Sequence, residues 1–206
     1  YSASPGTSSV PHRAPAAPTG RKVRMLTDFV RDHAFTIAWF GLMTMVWLGW
    51  AQEDPPERLR LPLGVGSGLG LVLTGLFVYP VVTHWRTDSA LTGQYAWFGV
   101  LVGLEVLAAA IGCVVLWRRG ASRWMAWWVA LVVAVHFLGL AVMLRDPAVA
   151  ALGVLQAVAL FVLVPRLRAG QTTSSRLVGP VMGLSLLLFA AASAVVFVVR
   201  HGAPWA

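Results

Sequence analysis

Charge is scarce in this sequence. Only 12% of its 206 residues are Asp, Glu, Lys or Arg, against about a quarter in a soluble domain of this size. That shortage excludes an ordinary cytosolic enzyme and a disordered polyelectrolyte. Cysteine is scarcer still. The single Cys113 can neither close an internal disulfide nor build a thiolate metal cage, which excludes a secreted disulfide scaffold. Long polar loops are missing too, so there is no room between the apolar stretches for a soluble catalytic site.

What fills the chain is apolar: 58% of residues, with a mean hydropathy of +0.73. Six apolar runs stand at 34–51, 62–84, 96–117, 124–144, 147–166 and 177–199. Each is near the ~20 residues that cross a ~30 Å hydrocarbon core as a helix. The runs are too long and too uniformly apolar for barrel strands, and a span must satisfy its own backbone hydrogen bonds. The expected fold is therefore an all-α membrane protein, six transmembrane helices in an up-and-down bundle of three hairpins spanning residues 34–200. Residues 1–33 read as a tail and short juxtamembrane segment, and 201–206 as a C-terminal tail. Residues 1–24 are rich in Ser, Pro, Ala and Thr and lack the apolar stretch of a secretory signal. Met25 is the first methionine, and translation is expected to start there.

Tryptophan marks the boundaries. Trp47 and Trp50 close the first run, Trp85 follows the second, Trp97 and Trp117 bracket the third, and Trp124 opens the fourth. These read as interface anchors at headgroup level. Asp146-Pro147 reads as a helix N-cap followed by proline at the first helical position.

The net charge of +8 would suggest nucleic acid in a soluble domain. Here the basic residues sit between apolar runs, where they set topology and contact lipid headgroups, so the bilayer is the expected partner and nucleic acid is not. Six spans put both termini on one side. Counted from Met25, that side holds Arg31, Arg86, Arg145 and Arg200. The other holds Arg58, Arg60, Arg118, Arg119, Arg123, Arg166, Arg168 and Arg176. The positive-inside rule then places the termini outside the cytoplasm of a bacterial plasma membrane. Counting the basic residues before Met25 ties the two sides.

Three strongly polar residues lie deep in the apolar runs: Glu105, His136 and Gln156. Helical rise puts them ~14, ~12 and ~14 Å from one and the same membrane face. A carboxylate facing lipid at that depth costs roughly 2.5–3.5 kcal/mol even on the lenient insertion scale. Glu105 should thus face inward with His136 as its partner, directly or through one water, as a neutral pair. Such a layer suits a proton-accepting pair or a polar ligand site. It suits equally a clasp that fixes helix register, worth about 0.6–2 kcal/mol per hydrogen bond. Two good ligands and a glutamine are too few for zinc, and no metal or cofactor is expected.

Gly64, Gly66, Gly68 and Gly70 resemble a phosphate loop in spacing but follow no strand, so they read as helix-packing positions, as do Gly99 with Gly103 and Gly179 with Gly183. Ser67 and His136 differ in depth by ~10 Å, too far for a nucleophile and its base. His33 and His84 sit at the membrane edge and read as solvated.

Val135-His136-Phe137-Leu138-Gly139-Leu140-Ala141, with Phe40-Gly41-Leu42 and Trp47-Leu48-Gly49-Trp50, resembles an uncharacterised group of six-span membrane proteins of high-GC bacteria. The resemblance implies the same six-span fold and supplies no activity. The function expected is that of a small transporter, permease-like subunit or sensor using the polar layer. The alternative is a structural or assembly subunit, with the layer as a clasp and a second copy or another membrane protein as partner. An enzyme is the least supported class, since no acid pair, nucleophile–base pair or metal cage is present.

Overall fold

The computed structural model describes residues 24–170 and 172–205; the expected tail at 1–23 lies outside them. Six long helices follow one another: α1 Val30–Trp50, α2 Glu57–Thr83, α3 Tyr95–Arg118, α4 Met125–Leu144, α5 Pro147–Ala169 and α6 Ser175–His201. Short 3-10 turns precede α1, α3's successor α4, and follow α1. Each of the six is long and apolar enough to cross a membrane, and no strand occurs among the described residues. The chain is an all-α, multi-pass membrane protein.

The ends of the bundle are tied by polar side chains. At one end Arg200 meets Asp28 at 3.1 Å and His201 Nε2 lies 3.0 Å from the Thr27 carbonyl, so the start of α1 and the end of α6 lie together. At the other end Arg176 reaches Asp54 at 3.2 Å and Ser175 donates to Glu53 at 2.8 Å. Asp146 Oδ1 accepts from the Ala148 N–H at 2.9 Å and Pro147 opens α5, an N-cap of the ordinary kind.

Packing is uneven. α1 lies between α2 and α6, while α4 packs on α5 and α3. Ala126, Ala130, Ala134 and Ala141 form a buried seam on α4, and a Cβ on Gly153 would stand 2.6 Å from the Ala134 carbonyl. Backbones approach because the residues between them are small, the usual device where lipid removes the hydrophobic drive between helices. The tightest crossing joins α1 to α2. A Cβ on Gly41 would lie 2.6 Å from the Gly70 oxygen, and one on Gly70 2.5 Å from the Gly41 oxygen. Thr74 Oγ1 donates across it to the Ala38 carbonyl at 3.0 Å. By contrast α3 buries no residue and leans chiefly on α4.

Several expectations change. α1 starts at Val30, so Asp32 and His33 belong to the first helix and are buried there. Gly66, Gly70, Gly179 and Gly183 sit against neighbouring atoms, but Gly64, Gly68, Gly99 and Gly103 have nothing within 4 Å of a built Cβ and do not pack. Their stripes point away from the rest of the bundle. Trp85, Trp97 and Trp117 are exposed, whereas Trp47 is a core residue stacked on the half-buried Trp50, with ring centroids 5.6 Å apart. Trp124 is half-buried against Trp127. An indole at a helix end packs inward where its neighbouring turns face the core; those on the loosely held α3, on the α2–α3 loop and at Trp205 beyond α6 are left outside.

Candidate functional site

α1 and α3 meet chiefly at one end, through Arg31 and Tyr95, and the space between them is a cavity of about 380 Å³ backed by α4. α1 contributes the aromatic rings of Phe35, Trp39 and Phe40; α3 contributes Phe98, Val102 and Glu105; His136 and Phe137 come from α4. Seven residues of helix separate Phe98 from Glu105, about 10 Å of rise. The cavity thus runs from the end holding the α2–α3 loop down to mid-bundle, where the carboxyl and the imidazole form part of its wall.

Glu105 Oε2 stands 3.3 Å from His136 Nδ1, with side chains 22% and 9% exposed. The atoms are close enough to attract but not aligned for a hydrogen bond, and His136 Nδ1 has no other partner. Helical periodicity brings them together: Ala108 on the next turn of α3 accepts from Trp128 Nε1 of α4 at 3.0 Å, which fixes the register of the two helices on either side of the pair.

The third deep residue goes elsewhere. Gln156 is fully buried and its Nε2 donates to Ser185 Oγ of α6 at 2.8 Å, which in turn donates to the Met182 carbonyl at 2.9 Å. It does not line the cavity. Equal depth therefore did not mean one layer; α5 presents Gln156 to α6, on the far side of α4's neighbourhood with α3. Ser67 donates to its own helix at the Leu63 carbonyl, 2.9 Å away.

His33 departs from expectation most. It is 0% exposed, its Nε2 lies 3.0 Å from Ser193 Oγ, and its ring packs on Phe197 and His201 at 5.3 and 5.7 Å. The helix starts four residues before the apolar run, which carries His33 inside. His84 stays at the edge, with Nδ1 3.1 Å from the Pro80 carbonyl.

One group of residues had no warning in the sequence. Asp32 accepts from Ser89 Oγ at 2.9 Å and from the Ala90 N–H at 2.6 Å, while Arg31 Nε donates to its other oxygen at 3.0 Å. Arg31 also donates to the Trp85 carbonyl at 2.9 Å and to the Tyr95 hydroxyl at 3.0 Å. The α2–α3 loop is thereby fixed over the end of the cavity, which Asp32 and Leu91 line. The only available signal was Arg31-Asp32 standing beside an apolar run.

Among the described residues no three His, Cys, Asp or Glu side chains are grouped to hold a metal ion. The chemistry on offer is a carboxyl and an imidazole in an apolar, aromatic cavity, able to take up or release a proton or to meet the polar end of a small molecule. Comparison with protein-family models, with curated proteins and with solved structures finds no match to this chain.

Proposed function

We propose that this multi-pass membrane protein handles a small molecule, as a small transporter or a membrane sensor, and that the Glu105–His136 pair is its working site. One observation carries the reading: the pair stands on the wall of a cavity and is not sealed between packed helices. A clasp is expected in a dry interface with its hydrogen bonds made. Here the imidazole nitrogen facing the carboxyl lacks one, the arrangement of a site that completes its bonding with a ligand.

The test is access. In a Cys113→Ser background, Val102→Cys reacts with a membrane-impermeant maleimide if water reaches the cavity, while Gln156→Cys, buried between α5 and α6, stays unreacted. An unreactive Val102→Cys rejects the reading.

One observation favours the alternative of an assembly subunit. α3 buries nothing and rests mainly on one neighbour, so a second copy or another membrane protein would complete its surroundings. Orientation belongs to the same proposal. The Arg-rich end bearing Arg118, Arg119, Arg123, Arg166 and Arg168 faces the cytoplasm of a bacterial plasma membrane, with both termini outside. The resemblance to six-span proteins of high-GC bacteria supports that location.

A further inference from the structure

We propose that the cavity between α1 and α3 binds a lipophilic organic cation, taken up in exchange for one proton at the Glu105–His136 pair. The proposal rests on the reading of that pair as a ligand site and names the ligand's chemistry.

Charge complementarity comes first. The residues lining the cavity include two carboxylates, Asp32 and Glu105, and no Lys or Arg. Asp32 is already matched, since Arg31, Ser89 and Ala90 all donate to it. Glu105 has only His136, at 3.3 Å and without a hydrogen bond. It is the one acidic side chain on the wall whose charge lacks a fixed counterpart. His136 and the Arg31-matched Asp32 are the other titratable groups that face the cavity; α6 contributes Leu186 and α5 contributes none.

The remaining wall chooses the kind of cation. Phe35, Trp39, Phe40, Phe98 and Phe137 present aromatic rings from three helices, and ring faces attract organic cations whose charge is weakly hydrated. A hard inorganic ion needs six or more oxygen ligands. The lining offers Glu105 and Thr36 beyond the matched Asp32, and the Thr36 hydroxyl is given to its own helix at the Asp32 carbonyl, 2.9 Å away. An anion would find no fixed positive charge. The volume of about 380 Å³ falls in the lower part of the ~300–1,000 Å³ range of small-molecule sites.

The exchange balances simply. The empty pair holds one proton, on carboxyl or imidazole, which leaves a neutral or internally compensated site. A permanent cation beside Glu105 makes the carboxylate the favoured form and the imidazolium unfavourable. One proton leaves for solvent as one cation enters, and the net charge of the site is unchanged.

The experiment uses the full chain purified in detergent, with tetraphenylphosphonium as the probe and neutral triphenylphosphine oxide as its comparison. Calorimetry in buffers of different ionisation enthalpy counts protons. The expected result is one cation bound with release approaching one proton, an affinity that rises with pH by up to about tenfold per unit where the pair titrates, and triphenylphosphine oxide at least tenfold weaker. Glu105→Gln loses at least tenfold in affinity and all proton release, Trp39→Ala loses affinity with proton release kept, and Gln156→Leu changes neither. Equal affinity of wild type and Glu105→Gln for the cation overturns the proposal. If triphenylphosphine oxide binds in a Glu105-dependent way and the cation does not, the cation class falls while the site stands. If neither binds and Val102→Cys is unreactive, site and ligand class fall together.

Discussion

Asp32 on the first helix and Ser89 in the α2–α3 loop, 57 positions apart in sequence, share a hydrogen bond of 2.9 Å, with Asp32 9% exposed. With the Ala90 N–H at 2.6 Å and Arg31 on the other oxygen, this contact sets where α3 begins. It also closes the end of the cavity, because Leu91 follows directly. Beyond its packing on α4, helix α3 has little else to hold it, since it buries no residue of its own.

Removing the carboxylate should therefore free the loop before it unfolds the bundle. Asp32→Ala strands the buried Ser89 hydroxyl, the part-buried Ala90 N–H and one arginine donor, a loss of about 1–3 kcal/mol. Ser89→Ala removes one partner and costs about 1 kcal/mol. Limited proteolysis between residues 84 and 94 should accelerate in Asp32→Ala well ahead of any fall in helicity. Equal protection of the loop in both proteins would show that the contact is incidental.

The glycines divide into two classes with opposite responses. An alanine methyl at Gly41 or Gly70 meets backbone oxygen at 2.6 or 2.5 Å, and backbone cannot step aside as a side chain can. Each substitution should cost about 1–3 kcal/mol by overpacking. At Gly68 nothing lies within 4 Å, so Gly68→Ala should be neutral or gain up to about 1 kcal/mol of helix propensity. Thermal midpoints in one detergent compare all three. A destabilised Gly68→Ala would mean that this face is covered in the intact protein.

The same division shows what the sequence could and could not reveal. Hydropathy alone placed all six helices, because a span must be both long and apolar, and Asp146-Pro147 marked the start of α5 to the residue. Depth along a helix put Glu105 and His136 at one level, and the structure has them 3.3 Å apart. Depth says nothing of azimuth in a helix that is apolar all round, so Gln156 was grouped with them although it faces Ser185. Gly66 and Gly68 look alike in sequence for the same reason; two residues on a helix point nearly opposite ways. Asp32 and His33 stand before the first apolar run, where nothing in the sequence alone places them in the interior. They enter it because Ser89, Ala90 and Ser193 supply partners from segments far along the chain.

Sidedness follows from the order of the helices. With Cys113→Ser as background, single cysteines at Asp54, Gly120 and Thr172 should label from one side of the membrane. Those at Asp88 and Arg145 should label from the other, together with a tag at the C-terminus. The orientation proposed above has the second group outside, so a C-terminal reporter that works only in the cytoplasm would invert the orientation and leave the alternation intact. Two successive loops labelling from the same side would overturn the six-span order.

The sharpest separation of ligand site from clasp comes from Glu105 itself. A clasp stabilises, so losing it costs about 1–3 kcal/mol as the partner is left unpaired. The observed pair differs from a clasp. His136 Nδ1 already lacks a hydrogen bond, and Glu105 sits in an apolar cavity with its side chain 22% exposed, so the empty site carries the desolvation of a carboxyl with little return. Groups held in that state for a ligand reduce stability where they stand. Glu105→Leu should then raise the thermal midpoint in detergent or leave it unchanged, and Glu105→Gln should lie between it and the wild type. The order reverses if the pair is structural: Glu105→Gln near the wild type and Glu105→Leu clearly below it. Adding tetraphenylphosphonium gives the complementary reading, since a ligand that binds only the folded state raises its stability. The wild-type midpoint should rise and that of Glu105→Leu should not, whereas a clasp leaves both unmoved.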